Sequence, residues 1–556
     1  MMKNWNILYT EELDTSLNPQ KLQNILFENR DIKDKKEQAS FMHPDLSSVT
    51  LKSVDIDAAA TKIAKKRIEK AIKDKEQIIV YGDYDVDGIT ASAILWETLT
   101  HMSAVVMPYI PHRVDEGYGL SLKGIDTLLL QYPQTTLIIT VDNGIVAGKA
   151  VEYAKTKGID VIITDHHLQD AGQELPPAYA IVHTTKLCGA GIAWLFAKEL
   201  LGVDERLQDD HLELAALGTI ADLVPLKGAN RTLVYHGLPK LTKTARKGLR
   251  ALFDIAGITG KDIGVYEVGH MIAPRLNAAG RLETAMDSLR LICTKDTKRA
   301  QLLAEQLDGI NSERQTIMKD STLHASTTVR PRAIDKRIII IADESYAEGV
   351  IGLIAGKLVE EYYRPAIVIA KGEKVSKGSV RSIHGFNIIS FLREHKEFFV
   401  NVGGHPMAAG FTISTDKIEL FQKTLEDNAL LAIGDELLVR TLMIDCEIDL
   451  HAVSTDLHLA IQSLSPFGMG NPEPLFLSKK VYVREVRTLG KEGKHLRLIL
   501  GQDETSKPIE AVAFGMGERI TEIPEDGYLD IVYTIDENTW KGTTKLQLKV
   551  RDFRSM

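Results

Sequence analysis

Three short apolar runs, rich in isoleucine and valine, each lead into carboxylate or imidazole side chains. The runs are 77–81, 137–141 and 160–164, and the side chains after them are Asp83, Asp85 and Asp87, then Asp142, then His166 and His167. Such runs are typical of buried parallel strands, whose carboxyl ends meet at one edge of a sheet. Carboxylates and imidazoles gathered there suit divalent ions such as manganese. The pattern therefore predicts a metal site, and Asp222, after a helical run, is a further candidate ligand.

The spacing of Asp83, Asp85 and Asp87 before Gly88 is also that of the start of an EF-hand calcium loop. That loop needs a glutamate at its twelfth position, which here is Ile94, so a calcium loop is excluded. A single aspartate at a strand end is often a turn residue or a helix cap. Three successive strands that all end in ligand-type side chains are not explained by turn chemistry.

The elements that must position these side chains follow from the alternation of helical and strand-like segments. Residues 61–235 alternate in this way, which predicts a parallel sheet within an α/β domain. We expect an N-terminal extension over 1–60 and a helical linker region over 236–328, including a long helix. A smaller α/β domain is expected over 329–430. The β-rich segments of 440–556 predict a small barrel of OB type.

Several motifs occur in an order that resembles the DHH phosphoesterase superfamily. They are Gly82-Asp83-Tyr84-Asp85-Val86-Asp87-Gly88, Val141-Asp142-Asn143-Gly144, Asp165-His166-His167, Gly218-Thr219-Ile220-Ala221-Asp222, Pro274-Arg275-Leu276-Asn277-Ala278-Ala279-Gly280-Arg281, Gly349-Val350-Ile351-Gly352, Gly403-Gly404-His405 and Pro466-Phe467-Gly468-Met469-Gly470-Asn471-Pro472-Glu473-Pro474. Over about residues 60–480 the chain resembles the RecJ family, the bacterial single-strand-specific 5′→3′ DNA exonucleases. The resemblance implies a DHH domain, a smaller DHH-associated α/β domain and an OB-like barrel.

The resemblance also implies a centre of two Mn²⁺ or Mg²⁺ ions. Asp85 and Asp87 would each bind a different ion, and Asp142 would bridge the two. His166 and Asp222 would complete the second site. Tyr81 stands where some pyrophosphatase-type relatives carry a histidine ligand.

Further residues would act beside the metals. By resemblance, His167 contacts the scissile phosphate and stabilises charge in the transition state. Asp83 would bind through water or orient a ligand. Arg275, Asn277 and Arg281 would bind backbone phosphates close to the metals.

Another group of residues would bind the 5′ end of the DNA strand. Ser379, Arg381 and Ser382 resemble the family's pocket for a terminal 5′-phosphate, and Arg113 would join them. Arginine suits phosphate because its guanidinium binds in a bidentate manner. The backbone at Gly403, Gly404 and His405 would allow close approach of a phosphate or a base.

Composition and charge indicate the redox environment of the chain, its relation to membranes and its capacity to bind nucleic acid. The three cysteines, Cys188, Cys293 and Cys446, are widely spaced, which excludes a CxxC zinc site and suits a reducing cytoplasm. The sequence shows neither an apolar signal core at its N-terminus nor a membrane span. Net charge is −9, yet a stretch without acidic residues contains Lys240, Lys243, Arg246, Lys247 and Arg250. This stretch is either a nucleic-acid-binding patch or a solvated face.

We therefore expect a metal-dependent 5′→3′ exonuclease that degrades single-stranded DNA to 5′-mononucleotides in DNA repair and recombination. It would act as a cytoplasmic monomer, in a cleft between the two α/β domains, with single-stranded-DNA-binding protein and a RecQ-type helicase as partners. Many relatives carry a further C-terminal domain, without a counterpart in this sequence.

Two other functions remain open. The first is a DHH phosphodiesterase on short oligonucleotides or cyclic dinucleotides, although such relatives generally lack an OB-like domain. The second is an inactive replication scaffold of the Cdc45 type, whose ligand set is eroded, whereas the set here is complete.

Overall fold

A computed structural model describes residues 3–11, 17–112, 115–169, 174–202, 205–282, 284–329, 336–524, 527–540 and 542–556. The chain forms two compact units. One unit consists of Met1–Asn4, Asn277–Thr284 and Glu305–Thr441, and the other of Trp5–Leu276, Ala285–Ala304 and Leu442–Met556. No helix among these residues is long and apolar enough to cross a bilayer.

The N-terminal segment forms one strand and two helices: β1 (Asn4–Tyr9), α1 (Pro19–Asn29) and α2 (Lys35–Met42). Helix α1 begins where the side chain of Asn18 accepts a hydrogen bond from the backbone N–H of Lys21, with a proline in the first helical position. Leu22 and Leu26 on this helix are fully buried in one core with Phe476 of the C-terminal region. The segment predicted as an extension is therefore part of that core.

The first α/β region follows in chain order: α3 (Ala58–Asp74), β2 (Gln77–Tyr81), α4 (Val86–His101), β3 (Val105–Tyr109), α5 (Leu122–Gln131), β4 (Thr135–Val141), α6 (Gly148–Thr156), β5 (Asp160–Asp165), β6 (Ala180–His183), α7 (Gly189–Leu201), α8 (Glu205–Ala221) and α9 (Gly228–Thr242). Its strands form a parallel sheet in the order β3-β2-β4-β5-β6. Ile78 and Ile79 point to opposite faces and are both fully buried, as a sheet covered on both faces requires. Because β2, β4 and β5 are neighbours, the three ligand segments leave the sheet side by side.

The helical region contains α10 (Lys247–Ala256), α11 (Val265–Glu267), α12 (Ala273–Leu282), α13 (Met286–Cys293) and α14 (Thr297–Val329). A π-helical turn, Val268–Ile272, joins α11 to α12. The expected long helix is observed as α14, which has 33 residues.

The second α/β region contains β7 (Ile339–Asp343), α15 (Ile351–Tyr362), β8 (Ala366–Ala370), β9 (Val375–Arg381), α16 (Ile388–Arg393), β10 (Phe399–His405), β11 (Ala408–Ser414) and α17 (Ile418–Ala432). The sheet has the order β10-β11-β9-β8-β7. Only β7 and β8 pair in parallel, and the other neighbours are antiparallel. Strand β10 lies at the edge of this sheet.

The C-terminal region contains β12 (Thr441–Glu447), α18 (Thr455–Gln462), β13 (Phe476–Leu489), β14 (His495–Gly501), β15 (Ile509–Ala513), β16 (Tyr528–Trp540) and β17 (Thr543–Ser555). Strands β13, β14, β15, β17 and β16 follow one another, and β16 pairs back onto β13, so they close a barrel. Strands β12 and β1 extend the sheet beyond the barrel.

The motif that begins at Pro466 packs the barrel region against the parallel-sheet region within one unit. Arg231 of α9 is buried, and its guanidinium donates to the carbonyl oxygens of Ser465 at 2.7 Å and Pro466 at 3.3 Å. Its Nε donates to the carbonyl of Phe41 at 2.8 Å. The predicted fold class is confirmed: a parallel-sheet α/β domain, a smaller α/β domain, a helical linker and an OB-like barrel.

Candidate active site

The carboxyl ends of β2, β4 and β5 bring together the predicted metal ligands. Ligand atoms lie within 4.8 Å of one another in three groups: Asp142 with His166 and His167; Asp87 with His166 and Asp222; and Asp83 with Asp85 and Asp142. Asp142 belongs to two of these groups, and so does His166. The predicted pair of adjoining sites that share Asp142 is compatible with these groups and stays a prediction.

His166 sits at the centre of one site. Its Nε2 is 3.1 Å from Oδ1 of Asp142, 3.6 Å from Oδ2 of Asp222 and 3.8 Å from Oδ2 of Asp87. Adjacent ligand atoms about 2.1 Å from an octahedral ion lie about 3.0 Å apart. The observed separations therefore fit a divalent ion after small side-chain adjustments.

The start of α7 holds Asp87 in place. The backbone N–H of Gly189 donates to Oδ2 of Asp87 at 2.6 Å, and the N–H of Ala190 donates to Oδ1 at 2.8 Å. Both carboxylate oxygens are thereby fixed, and the positive end of a helix dipole faces them. Asp85 is fixed differently, because it caps α4 by accepting from the N–H of Gly88 at 3.0 Å.

Asp142 occupies an unusual backbone conformation. Its φ is +62°, a left-handed value that aspartate tolerates better than most residues. The residue is 1% exposed, and its Oδ1 receives no hydrogen bond of acceptable geometry from the described residues. Gly189 lies against it, since a Cβ at that position would be 2.6 Å from the Cβ of Asp142. A buried carboxylate oxygen that accepts no hydrogen bond from the described residues is suited to binding a metal ion.

The electrostatics of the cluster point to bound cations. Burial and the charges of Asp87 and Asp85 raise the pKa of Asp222 to about 8. Burial and the same two carboxylates raise the pKa of Asp142 well above its usual value. No lysine or arginine in the described part of the chain forms an ion pair with either residue. Divalent ions would supply the missing positive charge.

His167 is held by a residue that the predictions did not single out. Oδ1 of Asp165 lies 2.8 Å from Nδ1 of His167 and also accepts from the backbone N–H groups of His166 and His167. Burial favours the neutral ring, but the hydrogen bond and charge of Asp165 raise the pKa of His167 to about 9. The hydroxyl of Tyr118 lies 3.0 Å from Nε2 on the other side of the ring. His167 is thus an oriented imidazole with a raised pKa beside the predicted metal ligands.

Asp83 and Arg275 have different surroundings. Asp83 is buried within ligand distance of Asp85 and Asp142. Arg275 lies in α12, just after the π turn, and its Nη1 donates to the carbonyl of Met271 at 2.7 Å. The catalytic roles of Asp83, Arg275 and His167 stay predictions.

Asn277 and Arg281 lie at the C-terminal end of α12, in the other compact unit from Arg275. The guanidinium of Arg281 donates to the carbonyl of Gly349 at 3.1 Å. The Gly349 motif opens α15, so it packs against α12 at this point. The expected cleft between the two α/β domains stays a prediction.

The predicted pocket for a terminal phosphate is partly assembled in the second sheet. Ser379 and Arg381 alternate on β9 and share a face, with 3.4 Å between the serine Oγ and Nη1 of the arginine. Arg381 forms no ion pair among the described residues, and burial lowers the pKa of its guanidinium. Ser382 differs, because its buried hydroxyl donates to the carbonyl of Phe386 at 2.7 Å.

Strand register brings the glycine motif towards this pocket. Gly403 pairs with Gly410, which pairs with Ser379, and His405 pairs with Ala408, which pairs with Arg381. The residues that separate the glycine motif on β10 from Ser379 and Arg381 on β9 are small, so the surface between them is open. It spans two strand spacings and is therefore about 10 Å wide. Gly404 has φ +148° and pairs with Ala409. Arg113, the other predicted member, lies outside the described residues.

On the barrel, two aromatic residues that could stack with bases are at the surface. Phe514 is 57% exposed and contacts His495, while Tyr482 contacts the exposed Tyr528. Neither Phe514 nor Tyr482 belongs to the barrel core. The side chain of Trp540, a third candidate, lies outside the described part.

Sequence reasoning missed Asp165, Gly189 and Tyr118. The signal for Asp165 was its place in the Asp-His-His motif, and the signal for Gly189 was the glycine pair that opens α7. Tyr118, which is 48% exposed, had no signal in a single sequence. Gly189 and Tyr118 are recognised from their contacts with Asp142 and His167, far along the chain, whereas Asp165 contacts the adjacent residues His166 and His167.

Comparison with known proteins gives three family matches. Residues 77–219 match the DHH family, N-terminal domain; residues 335–429 match the DHHA1 domain; and residues 444–552 match the RecJ OB domain. The single-stranded-DNA-specific exonuclease RecJ of Bacillus subtilis is 37% identical over 502 residues, which are 88% of this chain and 63% of the relative. The chain therefore spans less than two thirds of that relative's length.

RecJ of Thermus thermophilus is similar in both sequence and structure. It is 33% identical over 523 residues, which are 92% of this chain and 72% of the relative. The crystal structure of its complex with Mn²⁺ has a TM-score of 0.83 at 29% identity, covering 100% of this chain and 80% of that one. Its complex with Mg²⁺ has a TM-score of 0.77 at 28% identity, covering 100% and 78%. The chain belongs to the RecJ family of the DHH superfamily.

Proposed function

We propose that this chain is a metal-dependent exonuclease that degrades single-stranded DNA in the 5′→3′ direction and releases 5′-mononucleotides, in DNA repair and recombination. The convergence of Asp87, Asp142, His166 and Asp222, with His167 fixed beside them, carries this proposal. Mn²⁺ or Mg²⁺ is the cofactor, as two ions. The RecJ structures with Mn²⁺ and Mg²⁺ support this assignment.

The ligand set divides between two adjoining sites. Asp85 and Asp142 would hold one ion, with Asp83 as a further ligand or as an orienting group, and Asp142 would also contribute to the second site. Asp87, His166 and Asp222 complete that second site. The bound ions supply Lewis acidity toward the phosphate and a lowered pKa for the attacking water.

His167 acts on the phosphate group. Asp165 holds Nδ1, which leaves Nε2, 3.0 Å from the hydroxyl of Tyr118, as the ring nitrogen that would reach a phosphate. With a pKa of about 9 the imidazole is protonated at neutral pH and can donate to a phosphate oxygen. Its positive charge then stabilises the charge that develops on that oxygen in the transition state.

Polarity comes from contacts to the strand and to its end. Arg275, Asn277 and Arg281 bind backbone phosphates. Ser379 and Arg381 bind the terminal 5′-phosphate, together with Arg113 and Ser382. Gly403, Gly404 and His405 line the path next to them. Arg381 has no carboxylate partner among the described residues, and such a guanidinium supports the proposal that this pocket binds an anion.

Assembly and location belong to the same proposal. The enzyme acts as a monomer in the cytoplasm, on single-stranded DNA and without a membrane. Single-stranded-DNA-binding protein would present the strand, and a RecQ-type helicase would generate it.

Degradation of end-labelled strands tests the proposal. A 5′ label should be released first, as a mononucleotide, and hydrolysis should need Mn²⁺ or Mg²⁺. The Asp142→Asn variant, purified in parallel, controls for a contaminating nuclease. Release that starts at the 3′ end, or internal cleavage, would contradict the proposed direction.

A further inference from the structure

A cavity of about 980 Å³ lies at the opposite ends of two helices from the metal ligands. Asp87 is in the first turn of α4, whereas Trp96 and Glu97 of the same helix line the cavity. Ten residues of α-helix span about 15 Å. Similarly, Asp222 follows the end of α8, whereas Glu213, which lines the cavity, is nine residues earlier. The cavity is therefore distinct from the site described above, and its size is near the upper limit for small-molecule pockets.

A closed network of ion pairs forms the inner wall of the cavity. Arg246 donates from both Nη atoms to Glu97, at 2.7 and 2.8 Å, and from Nε to Glu213 at 2.8 Å. Nε2 of His211 lies 3.0 Å from Glu97. Burial works against the charge of Glu97, but the hydrogen bonds from Arg246 and His211 lower its pKa to about 2. The inner wall thus presents fixed polar groups, in which one guanidinium holds two carboxylates.

The rim of the cavity carries uncompensated positive charge. Lys243, Lys247 and Lys295 are exposed and form no ion pair among the residues that the structure describes. Lys240 pairs with Asp209 at 2.8 Å, which leaves Asp210 as the one unpaired acid lining the cavity. A solvated lysine face would not surround a cavity. Within the basic stretch noted in the sequence, Arg246 belongs to the buried ion network, and Lys240, Lys243 and Lys247 line the cavity.

Apolar side chains complete the lining: Trp96, Leu207, Pro239 and Ile292. Trp96 is partly exposed, so part of its indole is open to a ligand. Indole is a good partner for a flat aromatic ring. The cavity therefore combines an aromatic wall with a cationic rim.

We propose that this cavity binds a nucleoside phosphate, with the base against Trp96 and the phosphate toward Lys243, Lys247 and Lys295. Inorganic phosphate would use only the rim, and an uncharged aromatic ligand would use only the wall. A nucleoside phosphate uses both. A DNA strand fits less well, because the cations surround a cavity and are interrupted by Asp209 and Asp210.

Equilibrium binding in a chelator tests this site without the metal centre. AMP, adenosine, inorganic phosphate and a hexaglutamate peptide are titrated by calorimetry, and tryptophan fluorescence is followed in wild type and Trp96→Phe. We expect AMP to bind at least about tenfold more tightly than adenosine or phosphate, since each charge-assisted contact is worth about that factor. The AMP-dependent fluorescence change should be lost in Trp96→Phe.

A pair of double variants locates the phosphate. Lys243→Ala with Lys247→Ala should weaken AMP binding by at least about tenfold. The matched control, Lys261→Ala with Lys298→Ala, removes two exposed lysines of the same unit that do not line the cavity, and it should bind as wild type. Thermal unfolding checks that both variants are folded.

Four results would overturn the proposal: no AMP binding at millimolar concentration; phosphate binding as tightly as AMP; equal losses in the two double variants; or binding of the peptide alone. The last result would identify the cavity rim as a binding site for an acidic polypeptide. Because the titrations are made in a chelator, their outcome is independent of whether the chain hydrolyses DNA.

Discussion

Replacing Gly189 with alanine should disable the metal centre and leave the fold intact. A Cβ on residue 189 would lie 2.6 Å from the Cβ of Asp142 and 2.8 Å from its Oδ1. Carbon atoms in contact are about 3.5–4.0 Å apart, so the side chain of Asp142 must move by about 1 Å. Metal–ligand distances tolerate only about 0.2 Å. The shared carboxylate would therefore leave its position between the two sites.

The size of the effect follows from that displacement. A shift of about 1 Å at a reacting centre costs on the order of 10²-fold in rate. Disturbed ligand orientation weakens metal affinity by about 10- to 100-fold. The alanine keeps its backbone N–H, so the hydrogen bond to Asp87 survives, and the loss is assigned to Asp142. Helix α7 itself should be unaffected, because alanine favours a helix more than glycine does.

Gly148 provides a matched control, because it also opens a helix and a Cβ there would meet no atom within 4 Å. Wild type, Gly189→Ala and Gly148→Ala are compared by Mn²⁺-dependent hydrolysis of single-stranded DNA, by Mn²⁺ calorimetry and by thermal unfolding in a chelator. We expect Gly148→Ala to behave as wild type in all three. Near-normal turnover and Mn²⁺ affinity in a folded Gly189→Ala would refute the reasoning.

Three further predictions concern single side chains of the site. Asp142→Asn, which keeps the shape and tolerates the positive φ, should lower hydrolysis by at least ~10³-fold, because the shared ligand is lost; substantial activity would remove Asp142 from the mechanism. His166→Ala should weaken Mn²⁺ binding in calorimetry and be partly rescued by excess Mn²⁺, whereas His167→Ala should bind Mn²⁺ normally and lose turnover; equal losses of Mn²⁺ affinity would argue against this division. Arg381→Ala should lower kcat/KM roughly 10- to 150-fold on 5′-phosphorylated strands, from the loss of a contact worth on the order of 1.5–3 kcal/mol. The effect on 5′-hydroxyl strands should be much smaller, and equal effects on both would place the reading of the 5′ end elsewhere.

The parallel sheet and the clustering of the candidate ligands could be predicted because the signals are local. Each strand is a short buried run, and ligands at the carboxyl ends of parallel strands lie at the same edge of the sheet. That β2, β4 and β5 are neighbours is known from the structure. The barrel strands and α14 were predicted for a similar reason, because β-rich segments and a long segment without proline are visible locally in the sequence.

What the sequence could not predict depends on contacts between distant residues. Arg246 lies in a basic stretch, yet it is buried between Glu97 and Glu213, which are 149 and 33 residues away. Ser382 was grouped with Ser379 and Arg381 because the run resembles a family pocket, and nothing in the sequence indicated that its hydroxyl donates to the carbonyl of Phe386. Leu22 joins a core with Phe476, far along the chain. Only tertiary packing distinguishes these outcomes from the alternatives.

The carboxylates of the metal centre should destabilise the protein when cations are removed. Burial and the charges of Asp87 and Asp85 raise the pKa of Asp142 above its ordinary value of 3.8. A carboxyl group with a raised pKa in the folded state favours unfolding once the pH exceeds that ordinary value. In a chelator at neutral pH, Asp142→Asn should therefore unfold at a higher temperature than wild type.

The pH dependence distinguishes this charge effect from simple packing. As the pH falls through about 4, the carboxyl is protonated in both states, and the advantage of the asparagine should disappear. Mn²⁺ at about 100 times its Kd should reverse the order at neutral pH, because it stabilises wild type by about 2.7 kcal/mol. The measurement is a set of thermal unfolding curves from pH 4 to pH 8, with chelator or Mn²⁺. A constant difference between the two proteins across this range would show that charge repulsion at Asp142 is not what the ions relieve.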